Sequence, residues 1–400
     1  MTNQKTIYIL AVAIVGIVLC AGAAVVLMND NNKNTPEADR VFHDSYGLEF
    51  TVPGTITSSV IQSGPPLTFV SYLGKNAMDT IIATGSDVAH GGGLNTYSAA
   101  YDLTSKATIT QSAFTTTETE KILSLNPDIV MVAGGNSLTD TVRTFSETLN
   151  GAGIACCVIK TVTEATDAEF KTQLRLVADI FGVPERAETV INAANGYVAD
   201  LKTKLSTVAT TDVKYVFAAN INWGGADGFY KSTSSYTPFE YLGNKVVSVY
   251  TEIAGNTTTT LQPEVLLNYD QNVHGIDMIF VDTGSGYSMM LGQYNDPVIG
   301  SGIKALSAFD DGEVYSVLPW CSRGMLPDNS IVIAYQIAAM LYPSLFVGFD
   351  MDALAVEVWE VFIGYEGAGQ TVYDLQIEYV ENTIGNNGGL LSKSPLLDSI

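Results

Sequence analysis

Residues 220–241 concentrate aromatic side chains among glycines and small polar residues. Trp223 and Tyr230 follow the apolar run KYVFAAN, which predicts a loop at the carboxyl end of a strand. Aromatic faces with a few polar groups suit a large planar or ring-bearing ligand. We therefore expect Trp223, Tyr230 and Tyr236 to line a ligand pocket, and Phe239 and Tyr241 to pack beneath the loop.

A second candidate cluster lies in the stretch PWCSRGM, which contains Trp320 and Arg323. A guanidinium in a loop flanked by prolines is suited to bind a carboxylate or another anionic chelate through two parallel hydrogen bonds. A surface ion pair is an equally open interpretation of Arg323. We expect both side chains at the ligand site.

Two loops of the first half add further candidates. His90 opens the glycine-rich stretch HGGGLNTY, which ends at Tyr97. An imidazole there is suited to ligate a metal or hydrogen-bond a ligand, although a lone loop histidine more often does neither. Asn136 follows the apolar run DIVMVAGG and completes the predicted ligand-binding set.

Enzyme motifs are absent from the sequence. It contains neither a phosphate-binding P-loop motif nor G-x-S-x-G, and the glycines at 91–93 lack the helix and acidic partner of a dinucleotide fingerprint. The histidines His43, His90 and His274 are widely separated, which disfavours a multi-histidine metal site, although ligands can converge in space. We expect no catalytic residues, no metal site and no cofactor.

Composition restricts the classes of partner. The net charge of −23 repels nucleic acid and anionic lipid headgroups, so we expect no nucleic-acid partner. The four cysteines include Cys20 and Cys321 and form no C-x-x-C pair, so they indicate neither a disulfide framework nor a zinc site. The adjacent Cys156 and Cys157, in GIACCVIK, are expected to be buried strand residues.

Short apolar strands alternate with helices from residue 67 onward, which predicts a parallel sheet covered on both faces. The pattern predicts strands at 67–73, 128–135 and 154–160 and helices at 75–85, 116–126 and 137–153. Residues 44–53 predict a short hairpin.

Residues 167–206 predict two helices separated at Gly182 and Pro184, and the second is long enough to join two lobes. A second α/β half follows. It repeats an acidic helix start and an aspartate before a buried strand, at Glu264 and Asp277. The expected fold is α/β, with two Rossmann-like lobes of parallel sheets bridged by one long helix and preceded by a transmembrane helix. Ligands of such sheets lie beyond the carboxyl ends of the strands.

The N-terminal segment 7–28 is an uncharged apolar run long enough to cross a bilayer. Lys5 before it and Asp30 after it favour a body outside the cytoplasm. Cys20 leaves open a cleaved and acylated lipoprotein, but Leu19 stands where that signal requires a small residue. We expect an uncleaved anchor in the cell membrane.

The expected organisation follows from these boundaries. It comprises an anchor (1–29), a linker (30–43), an N-terminal lobe (44–183), a connecting helix (184–206), a C-terminal lobe (207–370) and an extension of unknown role (371–400).

The order of several motifs resembles that of the substrate-binding proteins of ABC importers for iron-siderophores, haem and vitamin B12. The resemblance covers roughly residues 44–365. It rests on DSYGLEFTVP, E-x-x-L-x-L-N-P-D-I-V at 120–130, GAGI at 151–154, FGVPERAETVI at 181–191, LQPEVLL at 261–267, LPWCSRGMLPDNS at 318–330 and YPSLF at 342–346. It implies two lobes joined by a rigid helix, with modest closure on binding.

The resemblance also implies the function. The protein is expected to capture a metal chelate, with iron or cobalt, and deliver it as a monomer to an ABC permease and its ATPase. Members of the resembled family dock through one carboxylate on each lobe, and Asp140 and Glu264 occupy the matching helix starts. The helix dipole alone also favours acids there. A surface sensory or adhesive domain not coupled to transport remains an alternative, as does a chelate-modifying enzyme without a visible catalytic cluster.

Overall fold

The computed structural model of the protein describes residues 38–88, 95–110, 114–162, 164–221, 228–284, 286–321, 324 and 326–384. The predicted anchor at 7–28 lies outside these residues. None of the helices in the described ranges combines the length and apolar character needed to cross a membrane. The described residues from Arg40 onward form one compact unit.

The first lobe is built on a five-stranded parallel sheet in the order β5-β4-β3-β6-β7. Its strands are β3 (Ser59–Ile61), β4 (Ile81–Gly85), β5 (Ala107–Ile109), β6 (Ile129–Gly135) and β7 (Ala155–Lys160). An antiparallel hairpin of β1 (Arg40–His43) and β2 (Glu49–Val52) precedes them. The hairpin was predicted at 44–53, but its first strand comes earlier, and residues 44–48 form the connection.

The described residues of the first half of the chain form six helices: α1 (Pro65–Ser71), α2 (Lys75–Asp79), α3 (Thr96–Ala100), α4 (Thr116–Leu125), α5 (Asp140–Gly151) and α6 (Ala168–Ile180). The predicted helices near 116–126 and 137–153 and the strands at 128–135 and 154–160 are confirmed within a few residues. Cys156 and Cys157 are buried in β7, as expected.

The predicted strand at 67–73 is wrong, because this segment is helix α1. Gly64 has a φ of 84°, and Pro65 and Pro66 occupy the first helical positions, where a missing N–H costs nothing. The helix is buried from Pro66 to Ser71, so its sequence lacks an amphipathic period. A short apolar run without periodicity does not distinguish a helix from a buried strand.

The predicted helix at 75–85 is wrong in its second half. Helix α2 ends at Asp79, and Ile81–Gly85 forms the buried strand β4 between β3 and β5. The β-branched residues of this segment favour a strand, and the sheet supplies partners on both sides.

Helix α7 (Pro184–Leu205) is the long connecting helix that the sequence predicts. It packs against α6 on one side and against helices of the second half on the other. The Arg186 guanidinium, near its start, donates through Nε to the Tyr72 carbonyl at 2.7 Å and through Nη2 to the Phe362 carbonyl at 2.7 Å. One partly buried side chain therefore joins backbone carbonyls from both halves of the chain.

The second lobe contains a four-stranded parallel sheet in the order β10-β8-β12-β13. Its strands are β8 (Lys214–Ala219), β10 (Val246–Ser248), β12 (Met278–Asp282) and β13 (Val314–Val317), and a small antiparallel pair is formed by β9 (Lys231–Thr233) and β11 (Thr258–Thr260). The predicted α/β class with two parallel sheets is confirmed, whereas the lobe boundaries stay predictions.

The helices of this half are α8 (Thr237–Leu242), α9 (Val249–Ala254), α10 (Pro263–Asn272), α11 (Tyr287–Asn295), α12 (Ile299–Lys304), α13 (Ser307–Asp310), α14 (Pro327–Leu341), α15 (Met351–Ile363) and α16 (Ala368–Ile384). Among the residues that the structure describes here, 3₁₀ turns lie at Thr210–Asp212, Gly243–Lys245 and Pro343–Leu345. The described part of the unplaced extension is therefore helical. Helix α16 packs on α15 and on α3 of the first lobe.

Candidate functional site

The carboxyl ends of the two parallel sheets approach each other through their loops. A Cβ placed on Gly324, in the loop after β13, would lie 3.0 Å from Pro65 Cδ and 3.4 Å from the Gly64 Cα. Gly324 has a φ of 146°, which L side chains rarely adopt. The two lobes are thus in van der Waals contact at this edge, where parallel sheets bind their ligands.

The first-lobe edge is rich in paired polar groups. The Ser63 hydroxyl, after β3, donates to both carboxylate oxygens of Asp87 at 2.9 and 3.1 Å. The side-chain oxygen of Gln62 accepts from the Ala133 N–H at 2.7 Å. Ser63 and Gln62 are buried. These hydrogen bonds therefore fix the positions of the polar side chains at the first-lobe edge.

The second-lobe edge is centred on Asp282, the last residue of β12. Its Oδ1 accepts from the Gly284 N–H and its Oδ2 from the Trp320 N–H, each at 2.8 Å. Burial raises the pKa of Asp282 to about 7, although the N–H donors of Trp320 and Gly284 act in the opposite direction. The carboxyl group thus joins the end of β12 to the loop after β13.

Asn220 lies beside Asp282, directly after β8. Its φ of 61° is a left-handed conformation that asparagine tolerates better than most residues. Its Nδ2 donates to the Asp282 backbone carbonyl at 2.8 Å, while its fully buried Oδ1 has no hydrogen-bond partner among the described residues. A hydrogen-bond acceptor at this edge is therefore left open.

A buried carboxylate also links the two halves. Asp328, in the first turn of α14, accepts from the Tyr72 hydroxyl of the first half at 2.9 Å. Burial raises the pKa of Asp328, while the hydrogen bond from the Tyr72 hydroxyl acts in the opposite direction. Its Oδ2 has no hydrogen-bond partner in the described part of the chain.

Four of the predicted ligand-binding aromatics are buried in the structure: Tyr97, Tyr230, Tyr236 and Trp320. The Tyr236 ring packs edge-on against Trp320 at 5.3 Å and against Phe239 at 4.9 Å. Phe239 and Tyr241 are buried, which confirms their predicted packing role. The structure thus places Tyr236 and Trp320 together beneath the second-lobe edge, and their contact with a ligand stays a prediction.

Of the remaining predicted ligand residues, only one lies within the described ranges. Asn136 is exposed after β6. Trp223, Arg323 and His90 lie outside the described residues, so the predictions for them stay as stated.

The two predicted docking acids occupy equivalent positions. Asp140 is the first residue of α5, and Glu264 lies in the first turn of α10. Both are exposed. The Thr139 hydroxyl caps α5 by accepting from the Val142 N–H, so Asp140 is not the capping group. Their positions allow contact with a partner, and their docking role stays a prediction.

Sequence reasoning missed Asn220, Asp282 and Asp328 as site residues. The available signal for Asp282 was a polar residue closing the buried run MIFVD at the edge where ligands bind. No comparable signal marked Asp328, because its importance comes from Tyr72, 256 positions away in sequence. Within the described ranges, no three His, Cys, Asp or Glu side chains gather into a group that would hold a metal ion.

Comparison with known proteins identifies the family. Residues 83–293 match the family model described as "Periplasmic binding protein", which is more than half of the chain. The chain belongs to this family. The resemblance seen in the sequence to substrate-binding proteins of ABC importers is thereby confirmed. No curated protein sequence matches the chain.

Solved structures of this kind share the fold at low identity. The molybdate-binding protein MolA of Haemophilus influenzae is 18% identical, with a TM-score of 0.61 over 82% of this chain and 98% of that one. A periplasmic solute-binding protein of Veillonella parvula is 16% identical, with a TM-score of 0.62 over 85% and 98%. CeuE of Helicobacter pylori, in a nickel–histidine complex, is 15% identical, with a TM-score of 0.58 over 83% and 97%.

Membership of the periplasmic binding protein family indicates the general role of the chain. It implies a body outside the cytoplasm, a small-molecule ligand and an ABC permease as partner. The family is a class of transport-binding proteins rather than of enzymes.

Proposed function

We propose that this family member is a membrane-tethered, extracytoplasmic solute-binding protein that captures a metal chelate between its lobes and delivers it to an ABC permease. One observation carries the proposal: two parallel sheets present their carboxyl ends to each other across a contact at Gly324 and Pro65. Helix α7 connects the two halves. This is the arrangement in which parallel sheets hold a ligand.

A chelate is the class of ligand that fits the second-lobe edge best. The edge-to-face pair of Tyr236 and Trp320 supplies an aromatic surface at this edge, and Trp223 is proposed to add a further ring. Tyr230, Tyr97, His90 and Asn136 complete the proposed binding set, and Arg323 would bind an anionic group of the ligand. The fold relatives include proteins described as binding molybdate and haem. An iron-siderophore, haem or a corrinoid would fit this set.

Closure of the lobes is expected to be small. Arg186 of the connecting helix is partly buried and hydrogen-bonds backbone carbonyls of both halves. A large hinge rotation would break these charge-assisted hydrogen bonds.

Docking and tethering complete the proposal. Exposed Asp140 and Glu264 would face arginines of the permease, because rim charges steer association and set its salt dependence. Segment 7–28 would anchor the mature protein in the cell membrane, with residues 30–37 as part of the linker. A full-length chain that stays with membranes after a high-salt wash supports the anchor, whereas a mature chain beginning at lipid-modified Cys20 contradicts it.

The deciding experiment is ligand capture by residues 40–400. The purified body is analysed by absorption and mass spectrometry for a co-purified chelate, then titrated with haemin, cyanocobalamin and ferrichrome. We expect saturable binding of one chelate, released chemically unchanged. Absence of binding to all three contradicts a chelate-binding role, and recovery of an altered chelate indicates an enzyme.

Matched variants locate the site. Trp223→Ala and Arg323→Ala should each weaken binding about 30-fold, since the loss of an aromatic or arginine anchor costs about 2 kcal/mol. Arg143→Ala, which removes an exposed arginine from α5, serves as the control. Equal affinity in all three variants would mean that the loops are assigned wrongly.

A further inference from the structure

Exposed apolar side chains gather on three adjoining helices of the second lobe. Seven large apolar side chains are exposed in the described ranges, and four of them lie here: Val265 on α10, Met289 on α11, Val298 at the N-cap of α12 and Ile299 at its first residue. Their exposed fractions are 41%, 42%, 76% and 37%. A single exposed apolar residue is normal, whereas a group of them indicates an interaction surface. We call these four residues the apolar patch.

Helix α12 joins the patch, because it packs against both α10 and α11. A Cβ placed on Gly300 would collide with the Tyr294 carbonyl oxygen, so the start of α12 lies directly against the end of α11. A Cβ placed on Gly302 would lie 3.4 Å from the Tyr230 hydroxyl. Burial raises the pKa of Tyr230 to about 12, and the nearby Glu264 carboxylate acts in the same direction. The starts of α10 and α12 therefore lie side by side.

Helix α16 ends beside this surface. The Tyr379 hydroxyl donates to the Thr283 carbonyl at 2.9 Å, and Thr283 precedes Tyr287, the first residue of α11, by four positions. Burial raises the pKa of Tyr287 to about 12, and Tyr379 acts in the same direction, which places the two hydroxyls near each other. The described part of the chain ends five residues after Tyr379. Residues 385–400 are therefore attached near the first turn of α11, which carries Met289.

The sequence of residues 385–400 suits an apolar surface within its reach. GNNGG at 385–389 has the composition of a flexible spacer, and LLSKSPLLDSI at 390–400 contains two leucine pairs and an isoleucine. Five extended residues span about 17 Å and sixteen span about 54 Å. Helix α11 has nine residues and is about 14 Å long. The patch residues on α11 and α12 are therefore within reach of both leucine pairs.

The charges beside the patch are mainly negative. Asp296 Oδ1 accepts from the N–H groups of the two patch residues at the start of α12, each at 2.8 Å, and these hydrogen bonds lower the pKa of Asp296. Glu264 is exposed at the start of α10. The Lys304 ammonium lies 4.3 Å from the centre of the Tyr294 ring. Lys393, between the two leucine pairs, supplies a cation opposite the two acids.

We propose that residues 390–400 dock on the apolar patch of their own chain and cover the Glu264 carboxylate. A flexible spacer keeps the leucines at an effective concentration of about 1 mM, so weak apolar contacts are sufficient for docking. A second copy of the chain must instead approach against the repulsion between two bodies that share a net charge of −23. One consequence rests on the proposed function: the docked segment competes with the permease for the second lobe.

Two engineered cysteines test the docking in the purified body. Val298→Cys and Leu396→Cys place one thiol on the patch and one in the docking segment. The three native cysteines of the body are buried and do not compete. The matched control adds Leu390→Ser, Leu391→Ser and Leu397→Ser to the same two cysteines, which keeps the reach of the segment and removes its apolar contacts. Disulfide formation under mild oxidation is followed by non-reducing electrophoresis and mass spectrometry.

We expect the disulfide within one chain to form at least about tenfold faster in the cysteine pair than in the serine control, because docking raises the local concentration of the second thiol. Val347→Cys with Leu396→Cys, which uses a valine that is 86% exposed elsewhere, should react no faster than the serine control. Equal rates in the pair and the serine control, or a fast reaction at Val347, would overturn the proposal.

Disulfides that join two chains as the main product would also overturn it, because the patch would then be an interface between copies. Circular dichroism establishes that each variant is folded. The measurement requires neither ligand nor permease, so failure of the docking proposal leaves the proposed function intact, and absence of chelate binding leaves the docking proposal intact.

Discussion

The two lobes begin a central strand in the same way, with an aspartate that caps the neighbouring strand. Asp128, before β6, accepts at Oδ2 from the Thr57 and Ser58 N–H groups at 2.7 and 2.8 Å, at the start of β3. Asp277, before β12, accepts at Oδ2 from the Tyr215 N–H at 2.7 Å, at the start of β8. The amino ends of the two sheets are therefore built alike.

The carboxyl ends of the sheets differ. In the first lobe, Asp87 is partly exposed and accepts from the Ser63 hydroxyl. In the second lobe, Asp282 is only 3% exposed and binds backbone N–H groups on both of its oxygens. The shared end holds each sheet together, whereas the differing ends lie at the edge proposed to bind the ligand. The comparison therefore contrasts structural positions with the proposed functional positions in two lobes of similar design.

The largest effect is expected at the second-lobe edge. Asp282→Ala would leave the buried Gly284 and Trp320 N–H groups without acceptors and should lower the free energy of unfolding by about 2–4 kcal/mol. Asp87→Ala, at the partly exposed first-lobe edge, should cost less than about 1 kcal/mol. Urea denaturation of residues 40–400 measures both values. Equal losses at the two positions would remove the contrast between the edges.

The stabilising contribution of Asp282 should decrease as the pH rises. The ordinary pKa of an aspartate is 3.8 and burial raises that of Asp282 to about 7, so the folded state binds more protons between these values. The contribution of Asp282 to the free energy of unfolding is present below about pH 4. It is lost as the pH rises to about 7, by at most about 1.4 kcal/mol per pH unit.

Subtracting the pH profile of Asp282→Asn from that of the parent isolates this contribution. Asp128 gives a contrasting control: burial opposes its ionisation, but hydrogen bonds from Thr57 and Ser58 prevail and lower its pKa. The contribution of Asp128 to the free energy of unfolding is therefore lost as the pH falls below the ordinary pKa of an aspartate. A difference profile for Asp282 that rises with pH would contradict the assignment of a buried, proton-retaining carboxyl group.

A smaller effect than that of Asp282→Ala is expected at the aspartates that precede the central strands. Asp128→Ala and Asp277→Ala should each lower the free energy of unfolding by about 1 kcal/mol, because the capped N–H groups are partly accessible to water. Both losses are measured by urea denaturation and should agree within about 0.5 kcal/mol. A loss at one position only would show that the two strand starts are not equivalent.

Much of the architecture was predictable from local sequence. Asp128 and Asp277 stand before continuous apolar runs, and each run forms a central buried strand. The start of helix α7 was marked by Pro184, and its apolar residues recur at helical spacing. Local signals succeeded here because hydrogen bonding within a helix and the burial of whole strands both leave a pattern in neighbouring residues.

The local sequence pattern did not predict the secondary structure of α1 and β4 correctly. The segment 65–73 is buried on nearly every side, so no polar face reveals the helical period. The segment 81–85 becomes a strand because β3 and β5 provide its hydrogen-bond partners. Tertiary burial and strand pairing decided both elements, since neither has a decisive pattern of its own.

By itself the sequence determined the α/β class, the repeated aspartate before each central strand, the long connecting helix and the resemblance to importer binding proteins. Only the tertiary structure decided which polar groups meet at the cleft. Tyr72 reaches Asp328, and Tyr379 reaches Thr283, across long separations in sequence. The burial of the Gln376 amide without a hydrogen-bond partner among the described residues is likewise visible only in the folded chain. The physical reason is that periodicity records the burial of apolar side chains, whereas the desolvation and pairing of a polar group depend on distant segments that only the folded chain brings together.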